Sequence, residues 1–190
     1  MTLFRIFISA LLIENVVLMR FLALCPFIGM SNDEDKSIGM GLAVTFVMVL
    51  ATSVTYPIFT FILEPNGLVF LRLVVFVMVI ATLVQLVEFY LKKSSPGLYS
   101  SLGIYLALIT TNCAILAVTI DVIDRNYSFI EAVVYAVGAS MGFLISLLLL
   151  AGIRKHLRTS PVPAFMKGTP ILFIAASLLS LAFAGFAGLV

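Results

Sequence analysis

The sequence predicts an all-α integral membrane protein whose six transmembrane helices form an inverted 3+3 repeat, with helices one and four broken or re-entrant. Three observations carry that prediction. The chain is 63% hydrophobic and 11% charged, with a mean hydropathy of +1.24, more apolar side chain than a soluble core built from 190 residues could hide. Six apolar runs follow one another, each longer than the roughly 20 residues that a helix needs to cross a bilayer. Two of these runs carry polar residues and a cysteine in their interior, and an interrupted membrane helix in each half is the best sequence pointer to a site near the bilayer midplane.

The first span runs from Thr2 to Met30 and contains Glu14, Asn15, Arg20 and Cys25-Pro26. As one straight helix it would be about 43 Å long, against a hydrocarbon thickness of roughly 30 Å, so it must tilt, break or re-enter. Pro26 removes a backbone donor and is expected to push Cys25 toward an extended conformation. The amide of Asn15 can satisfy backbone groups that an unwound segment leaves bare. Arg5 ahead of an apolar stretch resembles a secretory signal, but the stretch is too long and no small-residue cleavage pattern follows, so the span is expected to be retained.

The second and third spans occupy 38–61 and 68–91, the fifth and sixth 128–152 and 168–190. Between them lies the fourth, from Leu98 to Val122, with Thr110-Thr111-Asn112-Cys113 in its interior. Little chain is left for a soluble domain, so residues 1–190 read as a single polytopic unit with halves at 1–95 and 96–190.

Lys and Arg set the orientation. The loops after spans one, three and five (around 31–37, 92–97 and 154–167) hold Lys36, Lys92, Lys93, Arg154, Lys155, Arg158 and Lys167, whereas the other side holds Arg5, Arg72 and Arg125. The positive-inside rule places the first group in the cytoplasm and both termini outside. A net charge of +2 gives no basis for a nucleic-acid partner.

Shifting the chain by 97 residues lays Asn15 on Asn112, Ser31 on Ser128, Glu34 on Glu131 and Gly41 on Gly138. Leu18 and Leu116, and Pro65 and Pro163, match within one residue. Three spans per half is an odd number, so the second half enters the membrane from the opposite side. The cysteines do not follow the shift: Cys25 falls on Val122 and Cys113 on Val16.

Two cysteines at membrane depth allow several readings. They can be inert small hydrophobes, a disulfide, or metal ligands. A metal site within this chain is incomplete, because the single histidine, His156, lies in a basic loop and tetrahedral iron or zinc needs four ligands. Any metal at Cys25 and Cys113 requires further ligands from another chain.

The segments Leu12-Ile13-Glu14-Asn15-Val16-Val17-Leu18, Leu24-Cys25-Pro26-Phe27-Ile28-Gly29-Met30-Ser31, Gly39-Met40-Gly41-Leu42-Ala43 and Thr110-Thr111-Asn112-Cys113-Ala114-Ile115-Leu116 closely resemble one family of membrane subunits. It comprises the RnfA component of Rnf complexes and the NqrE component of the sodium-pumping NADH:quinone oxidoreductase. The resemblance extends to the Leu181-Ala182-Phe183 and Gly185-Phe186-Ala187-Gly188-Leu189 ending. It implies a component of a prokaryotic inner-membrane complex that passes electrons between ferredoxin and NAD and couples this to movement of Na+ or H+. It further implies a homologous partner of opposite orientation (of the RnfE type), each of the two giving two cysteines to one 2Fe-2S cluster. Here those would be Cys25 and Cys113, with flavins and further iron-sulfur centres in the other subunits. The quinone-reducing complex is the alternative within the family, since Ile13-Glu14-Asn15 is similar to that relative too.

Four thiolates around two irons, split two and two across a pseudo-symmetric pair, explain why one chain has only two. The break in span one is then a requirement, since a straight helix would set Cys25 about 15 Å beyond the level of Asn15. Asn15, Thr110, Thr111 and Asn112 are expected to support the cysteines through hydrogen bonds to cluster sulfurs or to freed backbone; ordinary helix contact is the alternative. Glu14 is the best-placed intramembrane carboxylate for ion coupling. Glu88 is expected to pair with Lys92, while Asp121 and Asp124 read as solvated. Outside this family, a small inverted-repeat secondary transporter with structural cysteines is the competing function.

Overall fold

The architecture is a bundle around one long central helix. In the computed structural model, residues 2–31, 34–65, 69–94, 108–161, 163 and 166–185 are described. The start of the fourth span at 98–107, parts of the three basic loops, and Phe186 to Leu189 of the resembling ending lie outside those residues. Among the described residues all regular secondary structure is helical, with no strand. Helix α1 is Thr2–Ile8, α2 Leu24–Met30, α3 Glu34–Ile58, α4 Arg72–Ser94, α5 Cys113–Asp124, α6 Phe129–Thr159 and α7 Thr169–Ala184. Three stretches among the described residues, Ser37–Leu63, Arg72–Tyr90 and Phe129–Thr159, are long and apolar enough to cross a membrane, and Leu3–Ile13 and Thr169–Ala184 are shorter apolar helices.

Helix α6 is the most buried of the long helices, and α4 the least. Ser128 and Glu131 start α6 with a capping box, in which Glu131 accepts from the Ser128 amide at 2.9 Å. Glycine lets neighbours approach α6 closely. A Cβ on Gly138 would stand 2.9 Å from the Phe7 carbonyl oxygen, and one on Gly142 would stand 2.8 Å from that of Leu11. The four-residue spacing of these glycines is the small-residue pattern by which membrane helices bring backbones together. On α3, Gly41 plays the same part toward Leu144 of α6.

The first segment is interrupted rather than tilted. After α1 the chain widens into a π-helical turn over Ser9–Ile13, closed by the Glu14 amide on the Ser9 carbonyl at 2.8 Å. It then leaves helical geometry until α2, with left-handed backbone at Phe21 (φ 53°) and Ala23 (φ 58°). A non-glycine residue in that region costs roughly 1–2 kcal/mol, so the surrounding contacts must hold it.

Pro26 is not the cause of the break, and Cys25 is not extended. Both lie inside α2, Pro26 as its third residue. There the missing N–H is one of the first four that have no partner within a helix, so proline is tolerated.

Candidate functional site

The two interruptions meet. The Ala23 amide, the last before α2, donates to Cys113 Sγ at 2.9 Å. Cys113 is the first residue of α5 and Cys25 the second of α2, so each cysteine opens the helix that follows a break. The two helices diverge from this junction. Helix α2 ends where Arg154, near the far end of α6, donates to the Ile28 carbonyl (3.0 Å) and Ser31 Oγ (2.9 Å). Helix α5 ends where Asp121 accepts from the Tyr135 hydroxyl, near the start of α6. Cys113 precedes Asp121 by eight residues, about 12 Å of helix, which sets it near the middle of α6. Neither cysteine is bridged; Cys25 is exposed and Cys113 half-buried.

Each break is held by an asparagine. Asn15 is fully buried and uses its whole bonding capacity: Oδ1 accepts from the amides of Val17 (3.1 Å) and Leu18 (3.3 Å), and Nδ2 donates to the Gly142 carbonyl (2.9 Å) and Ser146 Oγ (2.8 Å). Asn112 caps α5, its Oδ1 accepting from the Ala114 amide at 3.0 Å. Its Nδ2 is buried and has no hydrogen-bond partner among the described residues. Thr110 is half-buried and Thr111 exposed, both beside this cap. Of the two roles expected of the asparagines, both Oδ1 atoms serve freed backbone.

Glu14 belongs to a second cluster, toward the start of α6. Its Oε2 is 2.6 Å from Arg125 Nη2, and the Tyr135 hydroxyl lies 3.3 Å from both Glu14 Oε2 and Asp121 Oδ2. That hydroxyl has one proton and donates to one carboxylate at a time. Arg20 pairs with Asp121 at 2.5 Å, and Arg72 pairs with Asp124. The two aspartates are therefore not simply solvated, because arginines from the first break and from α4 reach them. Arg125 lies 5.4 Å from the centre of the Tyr135 ring and 6.0 Å from that of Tyr127. Burial works against its charge, but hydrogen bonds to Glu14 and Tyr127 outweigh it and hold the guanidinium above its ordinary pKa.

Arg20, Arg125, Tyr135 and Ser146 were not singled out as site residues from sequence. Arg20 stood out as a cation inside an apolar segment, yet its partner is 101 positions away. The Ala23 amide left no trace, since its part is played by backbone geometry.

The junction admits metal ligation by position and chemistry. Cys113 opens a 12-residue helix, and its sulfur already accepts an N–H bond of the kind made to ligating sulfur. The orphaned Asn112 donor sits next to it. Among the described residues no three His, Cys, Asp or Glu side chains gather as a ligand set, so a metal held here also needs donors from elsewhere.

A family described as "Rnf-Nqr subunit, membrane protein" matches residues 3–190. The chain belongs to the Rnf-Nqr family. Among its Rnf-Nqr relatives, the A component of the ion-translocating oxidoreductase complex of Syntrophotalea carbinolica is 53% identical over 185 residues, 97% of this chain and 96% of that protein. The A component of the Na(+)-translocating ferredoxin:NAD(+) oxidoreductase complex of Acetobacterium woodii is 50% identical over 189 residues, 100% of this chain and 98% of that one. The A component of the ion-translocating oxidoreductase complex of Vibrio vulnificus is 48% identical over 183 residues, 96% and 95% of the two chains. Its apolar helices and its Rnf-Nqr membership make this chain a membrane protein.

Proposed function

We propose that this chain is the RnfA component of an inner-membrane complex that passes electrons between ferredoxin and NAD and couples the flow to translocation of Na+ or H+. Cys25 and Cys113 are its two ligands to a 2Fe-2S cluster, and a homologous partner of opposite orientation supplies the other two. The observation that carries this reading is the Ala23 to Cys113 hydrogen bond, because it joins the two breaks at the residues where the cysteines lie. When bound, the cluster supplies one-electron transfer at mid-membrane depth. The chain alone, with half the ligands, is inactive.

The chain's own residues do the rest. The Ala23 amide bonds and orients the Cys113 sulfur, and the Asn112 Oδ1 cap fixes the first turn that presents it. Asn15 straps the first break to α6, and the Ala23 amide, two residues before Cys25, joins that break to Cys113. The names of the relatives favour the ferredoxin-linked complex over the quinone-reducing one.

The six-span inverted repeat belongs to the same proposal, with both termini outside and the Arg154 end cytoplasmic. Supporting it, the shift-related asparagines both cap breaks, and the shift-related Gly41 and Gly138 both sit at close helix approaches. Glu14 is the proposed coupling group: a cation or proton arriving at its carboxylate competes with Arg125.

The test is ferredoxin-driven NAD+ reduction by the whole complex in sealed vesicles, with ion uptake measured alongside. Cys25→Ser and Cys113→Ser are expected to stop both. Glu14→Gln is expected to lower the ions moved per electron at unchanged electron flux; an unchanged ratio removes Glu14 from coupling.

A further inference from the structure

The end of the bundle away from the carboxylate cluster carries a cavity that the electron relay does not use. It measures about 350 Å³ and lies between the last turns of α6 and the start of α7, lined by Arg154, Leu157, Arg158, Ser160, Lys167 and Gly168. Arg154 and Arg158 stand four residues apart on one face of α6, a spacing at which like charges repel. Lys167 adds a third cation from the α7 side. Helix α7 begins at this cavity with Gly168 as N-cap and no side-chain cap, so its partial positive charge adds to the three side chains. None of the described lining residues is acidic.

A second cavity, of about 570 Å³, adjoins the first. The two share Leu157 and Ser160; the described lining of the second is one face of α6, a shallow groove running from Ser160 past His156, Ile153, Gly152 and Leu149 to Ile145. From Ser160 back to Ile145 is about 22 Å of helix, more than the roughly 15 Å that one leaflet contributes to the hydrocarbon core. A basic chamber thus adjoins a shallow, mostly apolar groove about one leaflet long, with His156 near its basic end.

We propose that these two cavities together hold one anionic phospholipid. Its phosphate sits among Arg154, Arg158, Lys167 and the start of α7, and an acyl chain lies along the groove from Ile153 to Ile145. Basic pockets between membrane helices at a bilayer surface are suited to such headgroups. A soluble anion would use the cations but would have no use for the groove. Arg154 also holds the end of α2, so the lipid stands next to the anchor of the helix that carries Cys25. The inference depends on the chain lying in a membrane and not on iron ligation.

The test counts phospholipids retained by the whole complex in neutral detergent, by native mass spectrometry, after exposure to phosphatidylglycerol or phosphatidylcholine. Arg154 is left intact. The wild type is expected to retain one more phosphatidylglycerol than phosphatidylcholine per copy of this chain. That extra molecule should be lost in the double variant Arg158→Gln/Lys167→Gln and, separately, in Gly152→Leu. A Cβ at Gly152 meets nothing within 4 Å, so leucine there fills the groove and not the core, and assembly at wild-type yield checks folding. Equal retention of the two lipids, or retention unaffected by either variant, overturns the proposal. So does displacement by inorganic phosphate with Gly152→Leu silent, which identifies a free-anion site, and so does a wild-type complex with no lipid at this face because a neighbouring protein covers it.

Discussion

The first break spans ten residues and is closed within the chain; the second is a single cap and is open. Asn15 and Asn112 do the same work with Oδ1, taking up amides that their interrupted helices leave bare. They differ at Nδ2, which in Asn15 bonds twice to α6 and in Asn112 bonds to nothing among the described residues. The difference teaches that the two breaks have divided the task. The first break is a strut tied to α6, and the second places Cys113 at a helix start beside an asparagine whose buried Nδ2 has no partner among the described residues.

The sharpest way to break that comparison is to remove the strut. Asn15→Leu leaves the Val17 and Leu18 amides buried without acceptors, at about 1–3 kcal/mol for each orphaned group, so a loss of about 3 kcal/mol is expected. Denaturant titration of the purified complex in detergent measures it, with cluster loss expected at lower denaturant than in wild type. A cost below about 1 kcal/mol would mean that the break holds itself.

The next effect acts on the same strut from the other side. Gly142→Ala places a Cβ 2.8 Å from the Leu11 carbonyl oxygen and 3.2 Å from Asn15 Nδ2. Overpacking of this kind costs about 1–3 kcal/mol, and because the clash is with backbone the first segment must shift. The same titration reads the stability, and chemical cross-linking between residues flanking α1 and α6 reads the shift.

The smallest effect on stability should come from the open break. Asn112→Ala removes one helix cap, worth about 1 kcal/mol, and no buried bond from Nδ2. It is expected to change the EPR line shape or the midpoint potential of the cluster more than the melting temperature. A large stability loss with an unchanged spectrum would place Asn112 with Asn15 as a strut.

The three long apolar spans and the interruptions at 14–23 and before Cys113 were legible because membrane depth and helix rise impose lengths that a sequence displays directly. Asn15 and Asn112 were legible too, since a buried amide in an apolar run needs several partners. The position of Cys25 was misjudged at the local level: proline was weighed as a breaker, yet in the first turn of α2 it fits the helix. The left-handed backbone at Phe21 and Ala23, by which the chain turns back into α2, has no sequence mark because neither residue is glycine. The pairing of Arg20 with Asp121 and of Arg125 with Glu14 was hidden because those contacts form only when the first segment folds back against the fourth and fifth. Shift symmetry also misdirected the cysteines. They correspond by their place at the start of a helix after a break, not by residue offset.

Iron content and low-temperature EPR of this chain purified with its homologous membrane partner, compared with Cys25→Ser and Cys113→Ser, test the central claim most directly. Two irons per pair with a 2Fe-2S signal, lost in both variants, is the predicted result. An iron-free pair, or iron untouched by either substitution, would contradict it and leave the joined breaks as the site of a small transporter.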